Sequence, residues 1–152
     1  MTRKRLTRAG EEQRLVRVRR RKPWPRYDGY PVALSDDWLA LRVVSEEHAH
    51  GLVLVRTRDV RKVGKPDVRP RVARGVLEQH GQWPPSAPEL LDLWDTRTVL
   101  FTAGSLAPEL TVACEKLGTQ VTGGVYRITD DELLLADGTA VPLKDVTRVD
   151  VR

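Results

Sequence analysis

Over most of the chain, apolar residues alternate with polar ones in short runs, the period of a half-buried strand. Leu15-Val16-Arg17-Val18-Arg19 is the first such run. Tyr30 to Leu34 and Trp38 to Val44 follow as a strand pair about Ser35-Asp36-Asp37, a turn expected from side chains that bond nearby backbone. Ser45 to His50 reads as a polar loop before the β-rich run Leu52-Val53-Leu54-Val55-Arg56, and Asp59 to Val63 alternates charged and apolar positions. The middle changes period. Val72, Val76, Leu77 and His80 have helical spacing, with Asp67 as a candidate N-cap and Gly81 as a stop. Ser86-Ala87-Pro88-Glu89 has the capping-box form and predicts a short helix over Leu90 to Trp94. Thr98 to Thr102 and Leu110 to Glu115 predict strands, and Asp137-Gly138 predicts a hairpin turn.

The strand pattern occurs twice. Gly29 to Leu41 and Gly123 to Leu135 align without a gap, and each copy closes on an Asp-Val tail, Asp59 to Val63 and Asp145 to Val149. The link between the inner turn and the tail is longer in the first copy (Asp37 to Asp59) than in the second (Asp131 to Asp145). This predicts a mainly β protein with one or two connecting helices, built as two repeated small β-barrel units. The expected boundaries are a flexible basic arm over 1–12, disordered or a frayed helix, a first unit over 13–65, a helical connector over 66–96 and a second unit over 97–152. Units so small have little core and lean on a neighbour, so the two are expected to pack in a pseudo-twofold relation that buries strand edges.

Each copy, read as strand, glycine, bent strand pair, turn and terminal strand, resembles the Sm-like fold of small β-barrels. Gly29, Val32, Leu34, Asp36 or Asp37, and Leu39-Ala40-Leu41 lie on that family's first segment. Val53-Leu54-Val55-Arg56 through Val63 resembles its second, with Arg56 at the arginine position. The sequence has Thr57 where the family has glycine, Asp37-Trp38 and Asp131-Glu132 where it has its uridine-binding Met-Asn, and Pro142-Leu143 in place of the second Arg-Gly. SH3-like barrels share the same strand grammar. The first copy also resembles actinobacterial-type proteins that carry no assigned activity. The Sm-like resemblance implies small barrels, RNA as a ligand, and assembly into oligomers.

Charge sharpens this picture. The 152 residues carry a net charge of +5. Residues 1–22 hold ten Lys and Arg against Glu11 and Glu12, a balance of +8, which leaves the remainder at −3. A basic segment binds polyanions by releasing their counterions. Arg17, Arg19 and Arg21 share one face of the first strand at period two, and with Lys22 and Arg56 they are the candidate nucleic-acid-binding residues. The alternative is that acids such as Glu46, Glu47 or Asp59 lie opposite and neutralise them.

Other chemistry is sparse. Cys114 is the only cysteine, which excludes an internal disulfide and suggests a cytoplasmic protein. No run approaches a membrane span of about 18 apolar residues, and no secretory signal follows the N-terminal charges. His48, His50 and His80 do not form a metal set. Asp36-Asp37 and Asp130-Asp131 read as turns rather than cation sites. No nucleophile elbow, phosphate loop or dinucleotide fingerprint is present, so neither an enzyme nor a cofactor is expected. Trp24, Trp38, Trp83 and Trp94 are expected to cover the small cores or to stack bases. The expected partners are RNA or, alternatively, a protein bound at a strand edge or a Trp-lined groove.

Overall fold

A computed structural model describes residues 2–152. Helix α1 (Thr2–Glu11) leads into strands β1 (Val16–Arg20), β2 (Tyr27–Leu34), β3 (Trp38–Val44), β4 (Ala49–Arg56) and β5 (Val60–Gly64). Helices α2 (Pro70–Gln79) and α3 (Thr96–Gly104) follow, then β6 (Leu110–Cys114), β7 (Thr119–Gly123), β8 (Val125–Ile128), β9 (Glu132–Leu135), β10 (Ala140–Pro142) and β11 (Arg148–Val151). The protein is mainly β, and every strand pair is antiparallel. No helix among the described residues is long and apolar enough to cross a membrane.

Eight strands form one sheet in the order β5-β1-β2-β3-β4-β11-β6-β7, and three form a second in the order β10-β9-β8. Neither sheet closes on itself. Only Gly124 separates β7 from β8, so a single bent segment carries the chain from one sheet to the other. The last strand, β11, joins the two halves: Val149 lies opposite Leu54 of β4 on one side and Val112 of β6 on the other. The outer strands β5 and β10 each have one partner. The halves therefore meet through unlike strands, β4 and β11, and not through the twofold pairing of like edges that the sequence suggested.

Burial explains why β3 and β4 lack polar alternation. Leu39, Leu41 and Val43 with Val53 and Val55 face one core, which also holds Leu6, Ala9, Val16, Val18 and Val63. Trp38, Ala40, Leu52 and Leu54 face the opposite way, into a core with Val99 and Leu100 of α3, Val112, Leu133, Leu135 and Val149. Strands covered on both faces need apolar residues at every position. A third core beneath α2 contains Leu15, Tyr30, Val44, Ala73, Val76 and Leu77. The second core takes residues from both halves, so they form one body.

Several expectations are corrected. Residues 2–11, expected to be a flexible arm, form α1, with Leu6 and Ala9 buried against the first core. Thr98 to Thr102, expected as a strand, lie within α3; Asp95 caps this helix, its side chain accepting the Thr98 N–H at 2.8 Å. No helix forms over Leu90 to Trp94. Asp67 does not cap α2, which starts with Pro70 in its first turn after Arg69. The five strands of the first half appear, though β2 starts earlier, at Tyr27, and β4 starts at Ala49, inside the expected polar loop; the Asp137-Gly138 turn and the helical spacing of Val72, Val76 and Leu77 appear as read.

The same local bonds recur in both halves. The Ser35 hydroxyl accepts the Asp37 and Trp38 N–H groups, and the Thr129 hydroxyl accepts those of Asp131 and Glu132. Thr57 N–H bonds Asp37 C=O and Leu143 N–H bonds Asp131 C=O, both at 2.9 Å. Arg3 pairs with Asp36, and Arg97 with Asp130. A Cβ on Gly10 would meet the Pro31 carbonyl at 3.1 Å, and one on Gly104 would meet the Val125 side chain at 2.8 Å. Helices α1 and α3 thus each pack closely on the corresponding strand. The carboxylates of Asp36 and Asp130 serve these ion pairs. Among the described residues no group of three His, Cys, Asp or Glu is placed to hold a metal.

Candidate nucleic-acid interface

The arginines of β1 differ in burial: Arg17 and Arg20 are buried and Arg19 is exposed. Arg17 is buried, and its guanidinium is fully engaged: Nε donates to Asp28 Oδ1 at 2.7 Å, Nη2 to Asp28 Oδ2 at 3.2 Å, and Nη1 lies 2.7 Å from Asp67 Oδ2. Asp28 also accepts the backbone N–H groups of Asp67 and Val68. Its hydrogen bond holds the Arg17 guanidinium above its ordinary pKa. Arg17 therefore ties β1 to the segment before α2 and presents no free face to a ligand. Acids do lie opposite, but they are Asp28 and Asp67, not Glu46, Glu47 or Asp59.

Sequence reasoning passed over Arg20. Period two puts it on the Val16 and Val18 face, where a charge needs a partner. It reaches the second half, donating to both oxygens of Glu115 at 2.6 and 2.9 Å. Glu115 also accepts from Thr147 Oγ1 at 2.9 Å and from Arg148 Nη1 at 3.3 Å. This is a buried Arg-Glu-Arg bridge between the halves.

Arg56 is buried as well. It donates to the carbonyls of Val146 at 2.9 Å and Leu143 at 3.1 Å, and its guanidinium lies 4.7 Å from the Trp38 ring centre. Burial pushes its pKa down. Arg56 bolts β4 to the segment leading into β11. The structure therefore does not bring the five chosen residues together: Arg17 and Arg56 are inside, while Arg19, Arg21 and Lys22 are exposed.

The exposed three belong to a wider basic surface. Arg19 and Lys62 stand directly opposite each other across β1 and β5, both exposed. Like charges so placed destabilise a sheet unless an anion lies between them. Arg61 is exposed beside them, and Arg21 stacks on Trp24 with 5.2 Å between guanidinium carbon and ring centre.

A separate groove of about 530 Å³ lies between α1, the start of β1, the end of β5 and the start of α2. Its floor is apolar, with Leu15, Val16, Val63, Pro66 and Pro70. Its polar walls are Arg5, Arg8, Arg14 and Lys65, with no carboxylate among the lining residues. Arg5 donates to the Val63 carbonyl at 3.3 Å, and Arg8 makes only an exposed pair with Glu12. Arg14 is brought over α1 by its N–H bond to the Ala9 carbonyl at 2.8 Å. These four cations are near in space because α1 docks. The missed signal is in the sequence: Thr2-Arg3-x-x-Leu6-x-x-Ala9-Gly10 matches Thr96-Arg97-x-x-Leu100-x-x-Ala103-Gly104 at the spacing of the strand repeat.

The tryptophans divide too. Trp38 is fully buried, and Trp83 packs edge-on against Tyr30 beneath Arg74. Trp94 is exposed, as are Leu90, Phe101 and Tyr126, the last two flanking a cleft between α3 and β8.

No protein-family model matches the chain, and no curated protein or solved structure matches it either.

Proposed function

We propose that the chain is a non-enzymatic, nucleic-acid-associated accessory protein of the cytoplasm that binds single-stranded RNA along its α1–β5 basic surface. On this reading it is built from two Sm-like units joined head to tail. The strand order supports the second point. With β7 and β8 taken as one bent strand, β11-β6-β7/β8-β9-β10 repeats β5-β1-β2-β3-β4, and the turn and helix contacts recur with it. The observation that carries the RNA reading is the groove walled by Arg5, Arg8, Arg14 and Lys65, with no acid among its lining residues. The apolar floor gives bases or riboses something to rest on, and the cations follow the phosphates.

The test is the binding of a fluorescent single-stranded RNA across a salt series. Single-strand affinity falls with a log–log slope of about −0.7 per neutralised phosphate. Replacing Arg5, Arg8 and Lys65 together by alanine is expected to flatten the slope by about 2 and to weaken binding at low salt. Affinity that is flat with salt in the parent protein, or a slope unchanged in the triple variant, removes this reading.

The exposed aromatic cleft beside α3 favours a second reading, a protein-interaction module. A partner that survives the triple alanine variant but is lost on Phe101→Ser would select it. The open edges of β5 and β10 leave room for strand-to-strand association of copies, and the mass in solution decides that point.

A further inference from the structure

The cleft between α3 and β8 has a counterpart in the first half, between α1 and β2. Phe101, Val125 and Tyr126 line the one, and Thr7, Pro31 and Val32 line the other at the matching places. The two clefts differ in what lies along them. Pro85, from the segment between α2 and α3, lines the first cleft. That segment is anchored there: Trp83 packs edge-on against Tyr30, and the Arg42 guanidinium donates to the Ser86 carbonyl at 3.0 Å. The second cleft is lined by α3, its two caps and β8 alone. The first measures about 300 Å³ and the second about 560 Å³.

The side chains differ in the direction opposite to simple shielding. Where the chain's own segment lies along the cleft, the paired positions hold Thr7 and Val32. Where nothing lies along it, they hold Phe101 and Tyr126, which are 67% and 71% exposed. Two large rings left in water on either side of a recess mark an interaction site. Val125 stands between them, where Gly104 lets α3 close on β8. Proline-rich segments hold an extended, preformed conformation and dock in aromatic-lined grooves at small entropic cost. Charge adds a direction. Arg97 pairs with Asp130, whereas Arg127 is exposed and makes no ion pair among the described residues.

We propose that this cleft docks an extended proline-rich segment of a partner protein, as the chain's own Trp83-Pro84-Pro85-Ser86 segment lies along the equivalent cleft of the first half. Phe101 and Tyr126 grip the prolines, and Arg127 meets an acidic residue beside them. The inference rests on the protein-interaction reading of this cleft and supplies its partner class.

Fluorescence anisotropy with the full chain tests it, using two labelled peptides: the chain's own Gln82 to Glu89 sequence, which carries Pro84, Pro85 and Pro88, and an oligoproline ending in glutamate. At least one is expected to bind saturably. Phe101→Ser and Tyr126→Ser, both at exposed positions, should each weaken it about tenfold. Arg127→Glu should weaken the glutamate-ending peptide and favour one ending in lysine. The Arg5, Arg8 and Lys65 alanine variant should bind the peptides as the parent does, which separates this site from the basic groove. Three results overturn the proposal: no saturable binding of either peptide, equal binding when the prolines are replaced by alanine, or affinity indifferent to Phe101 and Tyr126. Displacement of the peptide by single-stranded RNA in the triple variant assigns the cleft to nucleic acid instead. A dimer that Phe101→Ser dissolves, without peptide binding, assigns it to a second copy. A partner lost on Phe101→Ser that competes with neither peptide removes the proline assignment but keeps the protein-interaction reading.

Discussion

At the scale of residues, position decides what an arginine does. Arg17, Arg20, Arg56 and Arg148 are buried, and each meets acids or carbonyls; Arg5, Arg8, Arg14, Arg19 and Lys65 stay on the surface. Glu115 is the most exposed to loss, because Arg20 and Arg148 both depend on it. Glu115→Ala leaves two buried guanidiniums without their carboxylate and is expected to destabilise by about 3–5 kcal/mol in chemical denaturation. Asp150 has the opposite character. Burial pushes its carboxyl above the ordinary value, outweighing the pull of Arg148 and Arg152. The folded state then holds this proton more tightly than the unfolded chain. The site costs nothing while protonated in both states, and the penalty grows as pH rises from the ordinary carboxylate value through the raised one. Asp150→Asn should therefore gain stability relative to the parent between about pH 4 and neutrality, read from denaturation midpoints at each pH. An unchanged difference across that window would refute it. Period two put Arg17 and Arg19 on one side of β1, but no local period shows which arginine meets a carboxylate, since Asp28, Asp67 and Glu115 come from three other segments.

At the scale of elements, strands were more legible than helices. Each strand of the first half follows its apolar pattern because its residues contact a core on a fixed face. Helix α3 went the other way. Thr98-Val99-Leu100-Phe101-Thr102 is rich in β-branched and aromatic residues, yet Asp95 caps it and Val99, Leu100 and Ala103 dock on the second core. Tertiary contact overrides weak propensity here. Asp95→Ala should cost about 1 kcal/mol. The Thr98 N–H holds the Asp95 carboxyl below its ordinary value, so this contribution is present above that ordinary value and fades as acid protonates the folded form. Helix α1 was misread for another reason: its charges mask a Leu6 and Ala9 stripe that is narrow but fully buried. Leu6→Ala is expected to lose about 2–5 kcal/mol. A free arm would tolerate the change within about 0.5 kcal/mol, so a thermal melt separates the two.

At the scale of the whole molecule, the seam between β4 and β11 holds the halves as one body. Gly51 lies on it with φ of 85°, and a Cβ there would come within 2.5 Å of the Val151 carbonyl. Gly51→Ala meets left-handed strain of about 1–3 kcal/mol and a backbone clash as well, so a clear fall in melting temperature is expected. Arg56→Ala should strip two carbonyls of their donor and lower stability by about 2–4 kcal/mol; under the proposed RNA-binding function it leaves the RNA affinity of the folded fraction unchanged. A selective loss of RNA binding would instead return Arg56 to the interface.

Alternation, the aligned Gly29 and Gly123 segments and the Asp-Gly turn were enough to determine a mainly β protein whose local bonds recur. Those are short-range properties, set by which side chains share a face and which turns their neighbours permit. Only the tertiary structure decided how the halves join, that α1 docks, and which cations stay free. Each of those depends on groups far apart in the chain, and no local period records whether a basic side chain will find its acid in the core or remain open to a phosphate.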